Sequence, residues 1–179
     1  MKKKIYVHAG WLSDKMIGTV HILRDNDRES VSFEYSEEWL KLHSDIFLDP
    51  DLSPFTGRQY LSAGKSMFGM LSDVCPDRWG RRLIQRKEEL LSIRKKRKPH
   101  YLHEMDYLIS VSDFLRTGGL RFKVSTENDF IAVSDGLEVP PVAELSRLEQ
   151  AALNYKFSDN FYEMKWLSQL LSCMGTAFP

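Results

Sequence analysis

Three stretches of this 179-residue chain carry residue types that could do chemistry. His103-Glu104-Met105-Asp106 has the His-x-x-Asp spacing of a phosphotransfer loop, in which the aspartate would accept a hydroxyl proton. The Lys- and Gly-bearing nucleotide elements that should precede it are absent, and no Asn follows closely, so the spacing reads as the polar face of a helix. Thr117-Gly118-Gly119 lacks the Lys and the Ser or Thr of a phosphate-cradling loop and the third glycine of a dinucleotide fingerprint, and reads as a turn feeding a strand. The third stretch is the basic run from Arg78 to Lys98. It holds Arg78, Arg81, Arg82, Arg86, Lys87, Arg94, Lys95, Lys96, Arg97 and Lys98, with Glu88 and Glu89 the only acids. Such a run could neutralise phosphates with salt-sensitive, sequence-indifferent affinity. It could equally meet an acidic protein or be a solvated helix face.

Other chemistry is not indicated. Five scattered histidines give no metal spacing, and no serine sits in a nucleophile elbow. Cys75 and Cys173 lie far apart without a CxxC pair, so neither a zinc site nor a disulfide scaffold is expected. Lys plus Arg number 25 and Asp plus Glu number 25, so net charge selects no partner and only local clusters can. The basic start MKKKIYVHAGWL leads into no long apolar stretch, and no later segment approaches the twenty or so apolar residues of a bilayer span. A cytoplasmic protein with no membrane partner is the expectation.

The elements that must position these residues are legible in part. From Lys4 to Tyr35 apolar residues recur mostly with period two, as Ile5, Val7 and Ala9, then Ile17, Val20 and Ile22, then Val31, Phe33 and Tyr35. Turn chemistry at Gly10 to Lys15 and at Asp25-Asn26-Asp27 divides them into a small antiparallel sheet. Ser36 to Leu42 reads as a short helix, and Asp49 to Gly57 as a proline-containing loop. Helices are expected at Phe68 to Val74 and at Pro76 to Leu91, with Pro76 in the first turn of the second. There Trp79, Leu83, Ile84, Leu90 and Leu91 fall near one face and the basic residues mostly off it. Arg94 to Lys98 then reads as an exposed linker ending at Pro99. Beyond it come a helix from His103 to Val111, a strand from Gly119 to Val124, and a partner strand from Phe130 to Val133. Two further helices are expected at Val142 to Asn154 and Phe161 to Leu171, with Ser158 or Asp159 as a cap for the latter. The residues alone describe an α+β protein.

Two stretches taken together are more specific. FGMLSDVCPDRWGRRLIQRKE and YLISVSDFLRTGGLRFK resemble the amino-terminal part of HipA-family proteins, the serine/threonine-kinase-like toxins of bacterial toxin–antitoxin modules. Pro76, Asp77, Trp79, Gly80 and Arg81 match the first motif; Gly118, Leu120, Arg121 and Phe122 match the second, with Gly119 where the family often has alanine. The resemblance runs from about Ile5 to Leu171. It implies a sheet-plus-helical-joint subdomain over 1–105, then from 106 to 179 the start of a kinase-like amino-terminal lobe. Trp79 would be a buried anchor at the joint, Gly80 would allow close approach, and Asp77 and Arg81 could pair, leaving Arg78 and Arg82 for contacts.

The family's glycine-rich loop, ATP-contacting lysine, and magnesium-holding Asp and Asn are not met before Pro179. The expectation is therefore a truncated or split form with no catalytic, cofactor or metal residues of its own, ATP and magnesium being implied only for a full-length member. Partners implied are a HipB-like antitoxin, which in turn binds DNA, or a separate kinase chain. A nucleic-acid module using the run 78–98 is the alternative.

Overall fold

The computed structural model describes residues 2–25, 28–113, 116–127 and 129–131. Strands β1 (Lys2–Ala9), β2 (Lys15–Asp25) and β3 (Arg28–Tyr35) form a meander. Strands β4 (Arg58–Tyr60) and β5 (Leu120–Lys123) extend it on opposite edges, giving the order β4-β3-β2-β1-β5. Every pairing is antiparallel. Helices α1 (Glu37–His43), α2 (Gly69–Ser72), α3 (Arg78–Arg94) and α4 (Glu104–Ile109) complete an α+β fold.

Alternation decides which sheet face is buried. Ile5, Val7 and Ala9 on β1, Val20 and Ile22 on β2, Val31, Phe33 and Tyr35 on β3, and Leu120 and Phe122 on β5 share one core with Trp39, Phe68, Leu71, Met105 and Leu108 from the helical side. Ile17 is out of step with Val20 by period two, yet fully buried. A bulge resolves this: β1 and β2 shift register at Val7/His8, so that Val7 faces Gly18 and His8 faces Met16, and Ile17 turns inward. Gly18 permits it, because a Cβ there would lie 2.3 Å from the Glu34 carbonyl oxygen.

Local capping sets the helices. Ser36 Oγ accepts the Trp39 N–H at 3.1 Å while its hydroxyl donates to the Met16 carbonyl, fixing α1 to β2. The loop before α2 is built on buried Asp49, whose carboxylate accepts the N–H groups of Asp51 and Met70, and on buried Gln59, which both accepts from and donates to the Ser53 backbone at 2.8 Å. Strand β4, only three residues long, had no period to betray it.

Several expected boundaries change. The first joint helix shrinks to Gly69–Ser72. The second starts at Arg78 and not at Pro76, because Asp77 accepts the Gly80 N–H at 2.7 Å and becomes the N-cap, leaving Pro76 ahead of the cap. It continues past Leu91 to Arg94 and takes in the start of the supposed linker. The helix expected over His103 to Val111 spans Glu104–Ile109. Ile131 lies beside β5, its N–H donating to the Phe122 carbonyl at 2.9 Å. The rest of that expected strand, both later helices and Cys173 lie outside the described residues.

Candidate partner interface

The joint is built around α3. Its capping turn is tight: a Cβ on Gly80 would come within 2.9 Å of Pro76, so Gly80 serves close approach within its own turn. Trp79 is half-buried and not the buried anchor expected; Leu83, fully buried, takes that place on α3. Asp77 and Arg81 do not form the expected pair, since Asp77 is committed to the cap. Arg81 instead donates through two nitrogens to Glu104, each at 2.8 Å, and stands over the Tyr107 ring with its guanidinium carbon 5.0 Å from the centroid. Gln85 adds a 2.7 Å hydrogen bond to the Tyr107 hydroxyl.

A second set of charges holds α4 to the hairpin. Arg24 on β2 pairs with Glu29 on β3 at 2.6 Å and with Asp106 at 2.9 Å. Asp106 also accepts the His103 N–H, and Glu29 accepts the Met105 N–H. The carboxylate of the His-x-x-Asp spacing is thus a structural tie between helix and sheet.

Behind β5 the guanidinium of Arg116 is buried against three carbonyls, those of Val74 at 3.3 Å, Leu108 at 2.9 Å and Val111 at 2.7 Å, and lies 4.6 Å from the centre of the Phe122 ring. Burial lowers it to about 10, so the charge survives at neutral pH. Arg121 joins two loops by pairing with Asp113 and Asp14, both at 2.6 Å, and these carboxylates raise its pKa. Of the second motif, Leu120 and Phe122 face the core, and Gly118 turns the chain at φ +90°.

Several charges of the basic run are engaged within the fold. Arg97 folds back on Glu88, with contacts of 2.5 and 3.1 Å, and Glu88 also accepts the His100 N–H. The Arg97 bonds, reinforced by that N–H, hold the Glu88 carboxyl down to about 2. Lys96, at φ +50°, makes the reversal that permits this return. The segment after α3 is therefore tied to the helix and is not the simple linker expected. Arg86 pairs with Glu89 at 3.1 Å. Arg78, Arg82, Arg94, Lys95, Lys96 and Lys98 are exposed.

Two residues not singled out in the sequence share this region: Ile93 is 71 % exposed and Tyr101 74 %. An isoleucine beside Arg94-Lys95-Lys96 at the end of an amphipathic helix was the available signal. The surface thus combines exposed apolar side chains with cations at the end of α3. Among the described residues, no group of His, Cys, Asp and Glu could hold a metal ion, and no helix is long and apolar enough to cross a membrane.

Comparison with known proteins gives one match. The family model described as HipA N-terminal domain matches residues 9–105, more than half of the chain, including α3 and the whole of its capping turn. Neither a curated protein nor a solved structure matches.

Proposed function

Because the chain belongs to the HipA N-terminal domain family, we propose that it is the structural and partner-binding region of a HipA-like toxin–antitoxin serine/threonine kinase, not catalytic by itself. The partner is a HipB-like antitoxin or a separate kinase chain of a split system, and the setting is the cytoplasm. The observation that carries this reading is the α3 surface. Ile93 and Tyr101 leave large apolar groups in water beside Arg94, Lys95, Lys96 and Lys98, an arrangement suited to an acidic protein surface with apolar depressions. The Arg81–Glu104 and Arg97–Glu88 ties support it by fixing the surface in advance, which reduces the ordering cost of association. Charges already satisfied inside the fold, such as Arg81 and Arg97, are poorly available to phosphates, which favours a protein partner over a nucleic-acid module on this helix.

The test is calorimetric titration with magnesium-ATP, first on the chain alone and then on the chain mixed with a HipA-family kinase core or a HipB-like antitoxin. The expected result is no nucleotide binding alone, partner binding that is lost in Ile93→Asp and Tyr101→Asp, and nucleotide binding only when the kinase core is present. Nucleotide binding by the chain alone would show a nucleotide site within it, revive the reading of an enzyme in its own right and end this one. If reversing Arg94 to Lys98 abolished DNA binding with the fold unchanged, the nucleic-acid module would replace it.

A further inference from the structure

The face of the sheet turned away from the core has a composition of its own. Tyr6, Thr19, His21, Ser30, Ser32, Glu34, Arg58 and Tyr60 alternate with the core residues, and Lys2, Lys4 and Lys123 lie on the same side. Register places Lys4 opposite His21, His21 opposite Ser32, and Ser32 opposite Tyr60, one row across four strands. At about 4.8 Å per strand the row spans roughly 14 Å. The adjoining row runs Tyr6, Thr19, Glu34, Arg58. Between Tyr6 on β1 and Tyr60 on β4 lie Thr19 and His21 of β2 and Ser32 and Glu34 of β3, with Ser32 buried beneath its neighbours. A shallow depression lies here, its lining including Lys2, Lys4, His21, Ser32, Arg58 and Tyr60.

Cations outnumber acids on the open part of this face. Of its acids, Asp25 lies at the hairpin end opposite Arg28, and Glu34 is held by His21 at 2.9 Å and approached by Arg58 at 3.9 Å. Lys2, Lys4 and Arg58 are exposed, and Tyr60 presents 66 % of its surface. At the β5 end, the Phe130 ring is taken by Arg121 and Lys123, 3.6 and 4.6 Å from its centre, so the open part of the face is the β1–β4 side.

We propose that this face binds single-stranded nucleic acid, with a base stacked on Tyr60 and phosphates held by Lys2, Lys4 and Arg58. An antiparallel sheet face with an exposed aromatic ring and cations spaced across neighbouring strands suits sequence-tolerant single-strand binding. An acidic peptide would use the cations and leave the ring without a role. A duplex would keep its bases stacked away from the ring. The surface is separate from the α3 region, so the two readings stand or fall independently.

The experiment is fluorescence anisotropy with labelled ten-nucleotide oligo(dT) and oligo(U), a duplex of equal length, and a polyglutamate peptide, at several salt concentrations. Single strands are expected to bind most tightly, with affinity falling as salt rises. Tyr60→Ala should weaken binding about tenfold while Tyr60→Phe retains it, as stacking requires. Lys4→Glu should weaken it and flatten the salt dependence, and reversing Arg94, Lys95 and Lys96 should leave it unchanged. Circular dichroism of each variant checks the fold. No binding at low salt, equal binding of duplex or polyglutamate, or a Tyr60→Ala variant that folds and binds normally would each overturn the proposal.

Discussion

Arg81 and Glu104 meet through two parallel hydrogen bonds of 2.8 Å, joining the first turn of α3 to the first turn of α4 across 23 positions of chain. The side chains are about one-third exposed, so water screens the pair, but the forked geometry and the Tyr107 ring beneath Arg81 make it better than an ordinary surface contact. A double-mutant cycle with Arg81→Ala and Glu104→Ala, read by urea denaturation, is expected to give a coupling of about 1 kcal/mol. Arg81→Lys should recover less than half, because an ammonium cannot reproduce the fork. Additive single variants would mean that the two residues act separately.

Arg116 replaces a piece of missing secondary structure by donating to three backbone carbonyls from different turns. Arg116→Met leaves those acceptors without their buried donor and should cost about 3 kcal/mol, seen as a lower denaturation midpoint. Arg116→Lys should not restore it, since one ammonium does not span all three.

The bulge at Gly18 carries a similar demand. A methyl group there would sit 2.6 Å from the Phe33 ring as well as against the Glu34 carbonyl, on a central strand that cannot shift easily. Gly18→Ala is expected to lose about 2 kcal/mol. Gly57→Ala meets nothing within 4 Å and should cost only the strain of its φ of +108°, about 1 kcal/mol. Equal midpoints for the two variants would contradict the tight packing.

Acid should loosen the turn after α3. Arg97 keeps the Glu88 carboxyl at about 2, below its ordinary 4.5, so the folded state binds this proton less readily than the unfolded chain. Its contribution is complete above about pH 4.5 and is lost as pH falls toward 2. The urea midpoint of the native chain should therefore fall more steeply over that window than that of Glu88→Gln, and the two curves should converge at its acid end. Parallel curves would show that the pair does not govern the acid response.

Cys75 should be a slow thiol. Burial pushes it up to about 11, against the pull of nearby Arg81 and Arg116. In a Cys173→Ser chain, disulfide-exchange labelling at pH 8 is expected to wait for denaturant. Immediate labelling would place Cys75 in water.

Much of the sheet was readable because alternation is a local property: Ile5 to Ala9 and Val31 to Tyr35 announce both a strand and the face it buries. The short helix read over Ser36 to Leu42 was likewise legible, and the structure adds Ser36 as its cap. Ile17 shows where such reading ends, for its inward turn depends on a bulge opposite His8. The β4 strand and the true partner of Arg81 were equally hidden, because each depends on a residue far along the chain. The motifs around Trp79 and Phe122 pointed to the family, but not to which residue would be buried. The sequence by itself determined period and the density of charge along α3, both set by neighbours a few positions apart. Only the tertiary structure decided which cations were consumed by Glu104 and Glu88 and which faced water, because an ion pair forms only where folding brings the partners within a few ångströms.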